Sequence, residues 1–282
     1  METQIPNRLS TLGHPQRLSL FRLLMRRYPD RVPATELAQA LGLKPSTLST
    51  YVNALMHAGL IRQERVGTSL RYAIHIEAAR ETIDYLILDC CRGRPDICSP
   101  ELYPTPVGET ATSDSKFNVL FVCTGNSARS IFAEAILRDL AGDRFAAYSA
   151  GTKPGSKLNP LAVEVLEQKA HDVSALRSKN ISQFQGADAP TFDFVFTVCN
   201  RAANEECASW QGQPVTAHWG LPDPVKVEGS DAEKSLAFHQ TYGALRTRMT
   251  GFIHLPIASL NRISLQKAVD DLGQSKEEGT AL

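Results

Sequence analysis

The stretch KFNVLFVCTGNSARSIFAEAILRDLAG, residues 116–142, limits what this chain can fold into more than any other part of it. KFNVLFVC reads as a strand of the buried type, and RSIFAEAILRDLAG repeats its apolar residues at the spacing of an amphipathic helix. The residues between them must therefore form a tight strand-to-helix turn. The first N–H groups of a helix have no partner within it, so such a turn presents donors that can cradle an oxyanion. The turn runs Cys123, Thr124, Gly125, Asn126, Ser127, Ala128, Arg129, Ser130. Cys123 stands at its mouth. The helix dipole and Arg129 both favour a thiolate there, and Ser130 can hydrogen-bond it. Arg129 can also grip two oxygens of a tetrahedral anion. Nucleophile and cradle together suit attack on a phosphate or arsenate centre. No Gly-Lys-Ser/Thr follows, which excludes a Walker phosphate loop.

Such a nucleophile needs an acid for the departing oxygen. HWGLPDP offers Asp223, held before Pro224; taken alone it reads as an ordinary turn aspartate, and beside the loop it reads as the acid. His218 and Trp219 of the same stretch are expected to pack or hydrogen-bond so as to position it. FDFVFTVCNRAANEECASW ends a second buried-type strand near Cys199 and carries Cys207 eight residues on.

The rest of the chain divides cleanly. SPELYPTPVGETATSDSK, residues 99–116, is rich in Pro, Ser and Thr and lacks an apolar period, as a linker does. The expected domains are 1–98 and 117–282. Formal charge is zero over the 282 residues but unevenly spread. Residues 1–98 carry 13 Lys and Arg against 9 Asp and Glu, and residues 99–282 carry 17 against 21. A basic first part suits a polyanionic partner; a mildly acidic second part does not. METQIPNRLS lacks the apolar core of a signal peptide, and no apolar run reaches membrane-spanning length. The expectation is a cytoplasmic protein with no membrane partner. Thiols stay reduced in that compartment, so the six cysteines read as catalytic or metal-binding before they read as disulfides.

In the first domain HPQRLSLFRLLMRR sets Leu18, Phe21, Leu24 and Met25 at helical spacing. PATELAQALGL is a short helix with Thr35 as N-cap and Gly42 as terminator. KPSTLSTYVNALMHAGL follows, with Pro45 in its first turn and Leu48, Val52, Leu55 and Leu60 on its inner face. Two helices joined this tightly make a helix-turn-helix. IRQERVGTSLRYAIH alternates on either side of VGTS and reads as a β-hairpin, a wing. IEAARETIDYLILDCC closes the domain as an apolar-faced helix able to pair with a second copy. The second helix can present Ser46, Thr47, Ser49, Thr50 and Asn53 to a major groove, and Arg62, Arg65 and Arg71 of the wing can reach the backbone. A helical interaction domain with a surface hairpin is the alternative reading. Just past the last helix lie Cys90, Cys91 and Cys98. Three thiolates can hold one soft ion: Zn(II) with a fourth ligand, or trivalent arsenic or antimony in a three-sulfur pyramid. Small buried side chains at a helix end are the plain alternative.

Two resemblances follow from these motifs. LGHPQRLSLFRLL, LAQALGLKPSTLSTYVNALMHAGLI, RVGTSLRYAI and DCCRGRPDIC, within residues 10–98, resemble the arsenic-responsive ArsR/SmtB repressors. That resemblance implies an α+β winged helix-turn-helix homodimer that leaves operator DNA when As(III) or Sb(III) binds Cys90, Cys91 and Cys98; Zn(II) or Cd(II) is the alternative inducer. No cysteine pair lies in the second helix, where other branches of that family place one. Residues 117–260 resemble the low-molecular-weight phosphotyrosine phosphatase fold, which implies an α/β domain with a four-stranded parallel sheet flanked by helices. Phosphatases and thiol-coupled arsenate reductases share it. TVCNRAANEEC and VTAHWGLPDP resemble the reductase branch, and Val225 stands where phosphatases usually place an aromatic residue. The reductase resemblance implies catalytic residues Cys123, Arg129, Asp223, Cys199 and Cys207, arsenate as substrate, thioredoxin or another thiol as reductant, and no tightly bound cofactor. It further implies a relay in which Cys199 attacks the Cys123 sulfur and Cys207 resolves the disulfide. Some relatives hold potassium beside the loop; Asn126, Glu134 and Ser149 match part of that site, and its further carboxylate has no counterpart located in this sequence.

Overall fold

The computed structural model describes residues 4–92, 116–186, 188–205, 210 and 212–274. They fall into two compact units, one holding residues 4–92 and the other residues 116–274. Cys98 and Cys207 lie outside the described residues, as does most of the stretch read as linker.

The first unit is a winged helix-turn-helix. Helices α1 (Gln4–Leu12), α2 (Pro15–Arg26), α3 (Ala34–Leu41) and α4 (Pro45–His57) precede the wing. Its strands are β2 (Ile61–Val66) and β3 (Ser69–Ile74), antiparallel from Ile61 opposite Ile74 to Val66 opposite Ser69. A two-residue strand β1 (Val32–Pro33), which local alternation does not reveal, pairs with β3 and makes β3 central. α3 ends at Gly42 in the left-handed conformation, φ +62°, so glycine terminates the helix as expected. Thr35 is not its cap: Pro33 occupies that position and Thr35 lies within the first turn. The core is built from Leu20, Leu23, Leu24, Leu37, Leu48, Val52, Leu55 and Leu60. Of the α2 residues set at helical spacing Leu24 is buried, whereas Leu18 and Met25 are exposed; Leu20 and Leu23 are buried instead. An apolar residue at every position from 23 to 25 lets several stripes fit the same period; α2 turns the 20–23–24 stripe inward. The closing helix is α5 (Ile76–Asp84), and its continuation Tyr85–Cys90 widens into a π-helix.

The second unit is a four-stranded parallel sheet with spatial order β5-β4-β6-β7, flanked by helices. Its strands are β4 (Phe117–Cys123), β5 (Phe145–Gly151), β6 (Phe194–Thr197) and β7 (Val215–His218). Its helices are α6 (Arg129–Ala141), α7 (Pro160–Gln168), α8 (Asn200–Asn204), α9 (Asp231–Ile253) and α10 (Arg262–Gln274). α6 is not amphipathic in place. Ser130 through Leu137 are all buried, because the helix lies between the sheet and α9, where Phe132 meets Phe238 and Tyr242 edge to face. The order of strands fixes the site. From β4 the chain crosses to β5 on one side, then returns to β6 and β7 on the other. Such a reversal opens a crevice beyond the carboxyl ends of the central strands. β4 ends in Cys123, and the next strand ends just before Cys199. Among the described residues no helix is long and apolar enough to cross a membrane.

Candidate active site

The turn after β4 is shaped by where its carbonyls go. Those of Cys123, Thr124, Gly125 and Ser127 accept from the N–H groups of Thr152, Lys153, Gly155 and Asn159, at 2.9–3.2 Å. In a planar trans peptide the N–H points opposite its carbonyl. The N–H groups of Thr124, Gly125, Asn126 and Ala128 are therefore turned away from the 152–159 segment. For Asn126 that direction leads to the thiol: its N–H lies 3.0 Å from Cys123 Sγ. Asn126 holds φ +45°, the left-handed conformation that asparagine tolerates. The glycine that this close turn requires is Gly151 at the end of β5, not Gly125. A Cβ on Gly151 would lie 2.6 Å from Thr124 O, whereas one on Gly125 would meet nothing nearer than Ser127 Oγ at 3.6 Å.

Cys123 is 3% exposed, and its Sγ lies 2.9 Å from Ser130 Oγ. Burial pushes this thiol up, and neighbouring Cys199 adds to the rise; the Ser130 hydroxyl, the Asn126 N–H and Arg129 pull it down. The expected stabilisation of the thiolate by Arg129 is thus present but outweighed by burial. Cys199 is also buried. It caps α8, its Sγ accepts from Ala202 N, and it lies 3.4 Å from Thr124 Oγ1. The β4–β6 register, with Val122 opposite Thr197, brings both thiols to one end of the sheet.

Arg129 opens α6 and joins the loop that carries Asp223 to the turn that follows Cys123. It donates Nη1–H to Leu221 O at 3.1 Å, and its Nη2 lies 2.9 Å from Asp223 Oδ2. Asp223 in turn accepts from Val225 N. The loop before it is anchored by His218 and Trp219, which pack and hydrogen-bond as expected. His218 bonds Thr197 Oγ1 at 2.7 Å and Asn200 Oδ1 at 3.2 Å. Trp219 is fully buried, stacks on Phe196 at 4.2 Å and 9°, and donates Nε1–H to Val269 O of α10. Arg248 holds Trp219 O from α9.

Behind the loop lies a buried network that the sequence reading only partly located. Asn126 donates from Nδ2 to Ser130 Oγ at 2.9 Å and to Ser149 Oγ at 2.8 Å. Ser149 donates to Glu134, and the Lys179 ammonium meets the same carboxylate oxygen at 2.8 Å. Lys179 reaches this place because residues 179–180 run beside the end of β5, a pairing with no local sequence signal.

In the first unit Ser46, Ser49, Thr50 and Asn53 are exposed along α4, and Thr47 is half-buried there. Arg65 is exposed on β2. Arg62 is exposed but lies against His75 and Glu77, and Arg71 is half-buried in the central strand, so these two are less available to a backbone than their sequence positions imply. Cys90 ends the π-helix and is exposed; Cys91 follows it, half-buried. With Cys98 outside the described residues, no group of three potential metal ligands is assembled among those described.

Fold and site together define an α/β domain with two buried thiols at one end of its parallel sheet, carried on the same chain as a winged helix-turn-helix. The chain belongs to the low molecular weight phosphotyrosine protein phosphatase family, whose pattern matches residues 118–267; residues 12–64 match a helix-turn-helix domain. An arsenate reductase of Halalkalibacterium halodurans is 35% identical over 134 residues, covering 48% of this chain and 93% of that protein. One from Bacillus licheniformis is 35% identical over 138 residues, covering 49% and 96%. A solved arsenate reductase in the oxidized state is 27% identical over 48% of this chain and 95% of its own, with a TM-score of 0.41.

Proposed function

We propose that the chain is a bifunctional arsenic-resistance protein: an arsenate reductase joined to an arsenite-responsive, DNA-binding repressor. The observation that carries the enzymatic half is the pair of buried thiols, Cys123 and Cys199, at the ends of adjacent strands, with the hydroxyl of Thr124, the residue after Cys123, 3.4 Å from Cys199 Sγ. A phosphatase uses one thiol; a two-electron reduction needs more.

The Cys123 thiolate attacks As(V), forming an S–As bond while an As–O bond breaks. Arg129 and the loop N–H groups hold the oxyanion, and Asp223 gives the departing oxygen its proton. The Cys199 thiolate then attacks Cys123 Sγ. An S–S bond forms, the S–As bond breaks, and its electron pair remains on arsenic, which leaves as arsenite. Cys207 attacks Cys199, releases the Cys123 thiolate, and leaves a Cys199–Cys207 disulfide for a thioredoxin-type dithiol to reduce. The 35%-identical curated relatives are arsenate reductases, which supports arsenate over an aryl phosphate as substrate. The exposed Val225 after Asp223-Pro224 agrees, since it offers no aromatic face to a tyrosyl ring.

In the first unit α4 carries the exposed Ser46, Ser49, Thr50 and Asn53, with Thr47 beside them, to a major groove, and Arg65 leads the wing's contacts, with Arg62 and Arg71 beside it. A homodimer formed through this unit binds the operator, and As(III) held by Cys90, Cys91 and Cys98 releases it. The protein works in the cytoplasm, where its thiols stay reduced.

The test compares arsenate and p-nitrophenyl phosphate as substrates of the reduced full-length protein, with operator binding followed by mobility shift as arsenite is added. Arsenite formation with little aryl phosphate hydrolysis, and operator release by arsenite, are expected. Aryl phosphate turnover without arsenite formation would replace the reductase by a phosphatase.

A further inference from the structure

The buried Lys179–Glu134 pair bears on the cation that the reductase resemblance implies. A potassium ion beside the loop would be held by Asn126, Glu134 and Ser149. The residues present do not fit one. Glu134 Oε2 already lies 2.8 Å from the full positive charge of Lys179, and the two side chains are 11% and 8% exposed. A second cation on that carboxylate would meet the ammonium at close range, where little water screens the repulsion. Asn126 offers no lone pair in that direction either. Its Nδ2 faces Ser149 and Ser130, and its Oδ1 is taken by the backbone N–H of Lys179 at 2.6 Å.

Lys179 is also locked through its own backbone, since its carbonyl accepts from Gly151 N at 2.8 Å. One residue thus touches the network at three points: the carboxylate, the Asn126 amide and the glycine against which the loop packs. From Lys179 the chain of contacts runs through Glu134, Ser149 and Asn126 to Ser130 and Cys123 Sγ.

We infer that the Lys179 ammonium is the built-in cation of this loop, a positioning residue that orients Asn126 and Ser130 toward Cys123 and makes the protein independent of potassium. The inference rests on Cys123 as the nucleophile but not on arsenate as its substrate.

The test follows Cys123 alkylation by iodoacetamide against pH, read by peptide mass spectrometry, together with thermal melting. Full-length wild type, Lys179→Met and Glu134→Gln/Lys179→Met are compared in NaCl and KCl at equal ionic strength. Wild type should give superimposable curves in the two salts. Lys179→Met should displace the alkylation profile by at least half a pH unit, and KCl should restore it in part while NaCl does not. The double variant, which leaves no unpaired charge, should melt nearer to wild type yet keep the displaced profile and ignore potassium; it carries the test if Lys179→Met does not fold. Wild type that melts higher or alkylates differently in KCl would overturn the inference, as would variants with an unmoved Cys123 profile. Failure of the reductase reading would appear separately, as absent arsenate turnover in wild type with these thiol readouts intact.

Discussion

Gly151→Ala is the sharpest probe of the loop's construction. An added Cβ would lie 2.6 Å from Thr124 O, 3.0 Å from Asn126 Cβ and 3.1 Å from Asn126 N. Two of these neighbours are backbone atoms and cannot swing aside. Ordinary contact begins at 3.4 Å, so the loop or the end of β5 must yield by about 0.8 Å. Overpacking of this kind costs about 1–3 kcal/mol. In a domain of this size that lowers the melting temperature by roughly 2–4 °C per kcal/mol. The functional loss should be larger, because a displacement near 1 Å in the nucleophile loop costs on the order of 100-fold in rate. Circular dichroism melting and arsenite release would measure the two effects. Gly125→Ala, with nothing nearer than 3.6 Å, is the control and should leave stability within about 0.5 kcal/mol. Equal, small effects of both substitutions on melting and turnover would refute the claim that β5 shapes the loop through Gly151.

Other consequences are as direct. Arg129→Lys cannot reach Leu221 O and Asp223 together, so kcat/KM should fall by about 100-fold or more with little change in melting temperature. Trp219→Phe removes the N–H bond to Val269 O and should cost about 1–2 kcal/mol in denaturant unfolding. Burial raises the Asp270 carboxyl to about 7, so the folded chain keeps a proton there that the unfolded chain gives up near pH 4. This residue therefore lowers stability as pH rises from about 4 to about 7, and Asp270→Asn should flatten that slope and stabilise the protein at pH 8 by roughly 1–3 kcal/mol.

The features legible in the sequence are those with local causes. The strand and helix flanking Cys123, the hairpin around Gly67 and the helix stop at Gly42 each rest on a period or a turn residue within a few positions. Cys199 was legible as a strand end, because the buried run before it stops there. What the sequence did not disclose comes from pairing across distance. Lys179 reaches the loop only because residues 179–180 run beside β5, and Gly151 matters only because Thr124 O sits against it. Strand β1 has two residues, too few for an alternating pattern, and exists through β3. The net effect on the Cys123 thiol was also unreadable, since burial, which outweighs Arg129 there, arises only when the strands and loops around the end of β4 assemble.

The relay is the central claim, and arsenate-dependent NADPH oxidation with thioredoxin and thioredoxin reductase tests it most directly. The account predicts steady turnover in wild type and its loss in Cys123→Ser, Cys199→Ser and Cys207→Ser alike. Turnover that survives Cys199→Ser would contradict it, because the buried thiol beside Thr124 would then have no part in the reduction.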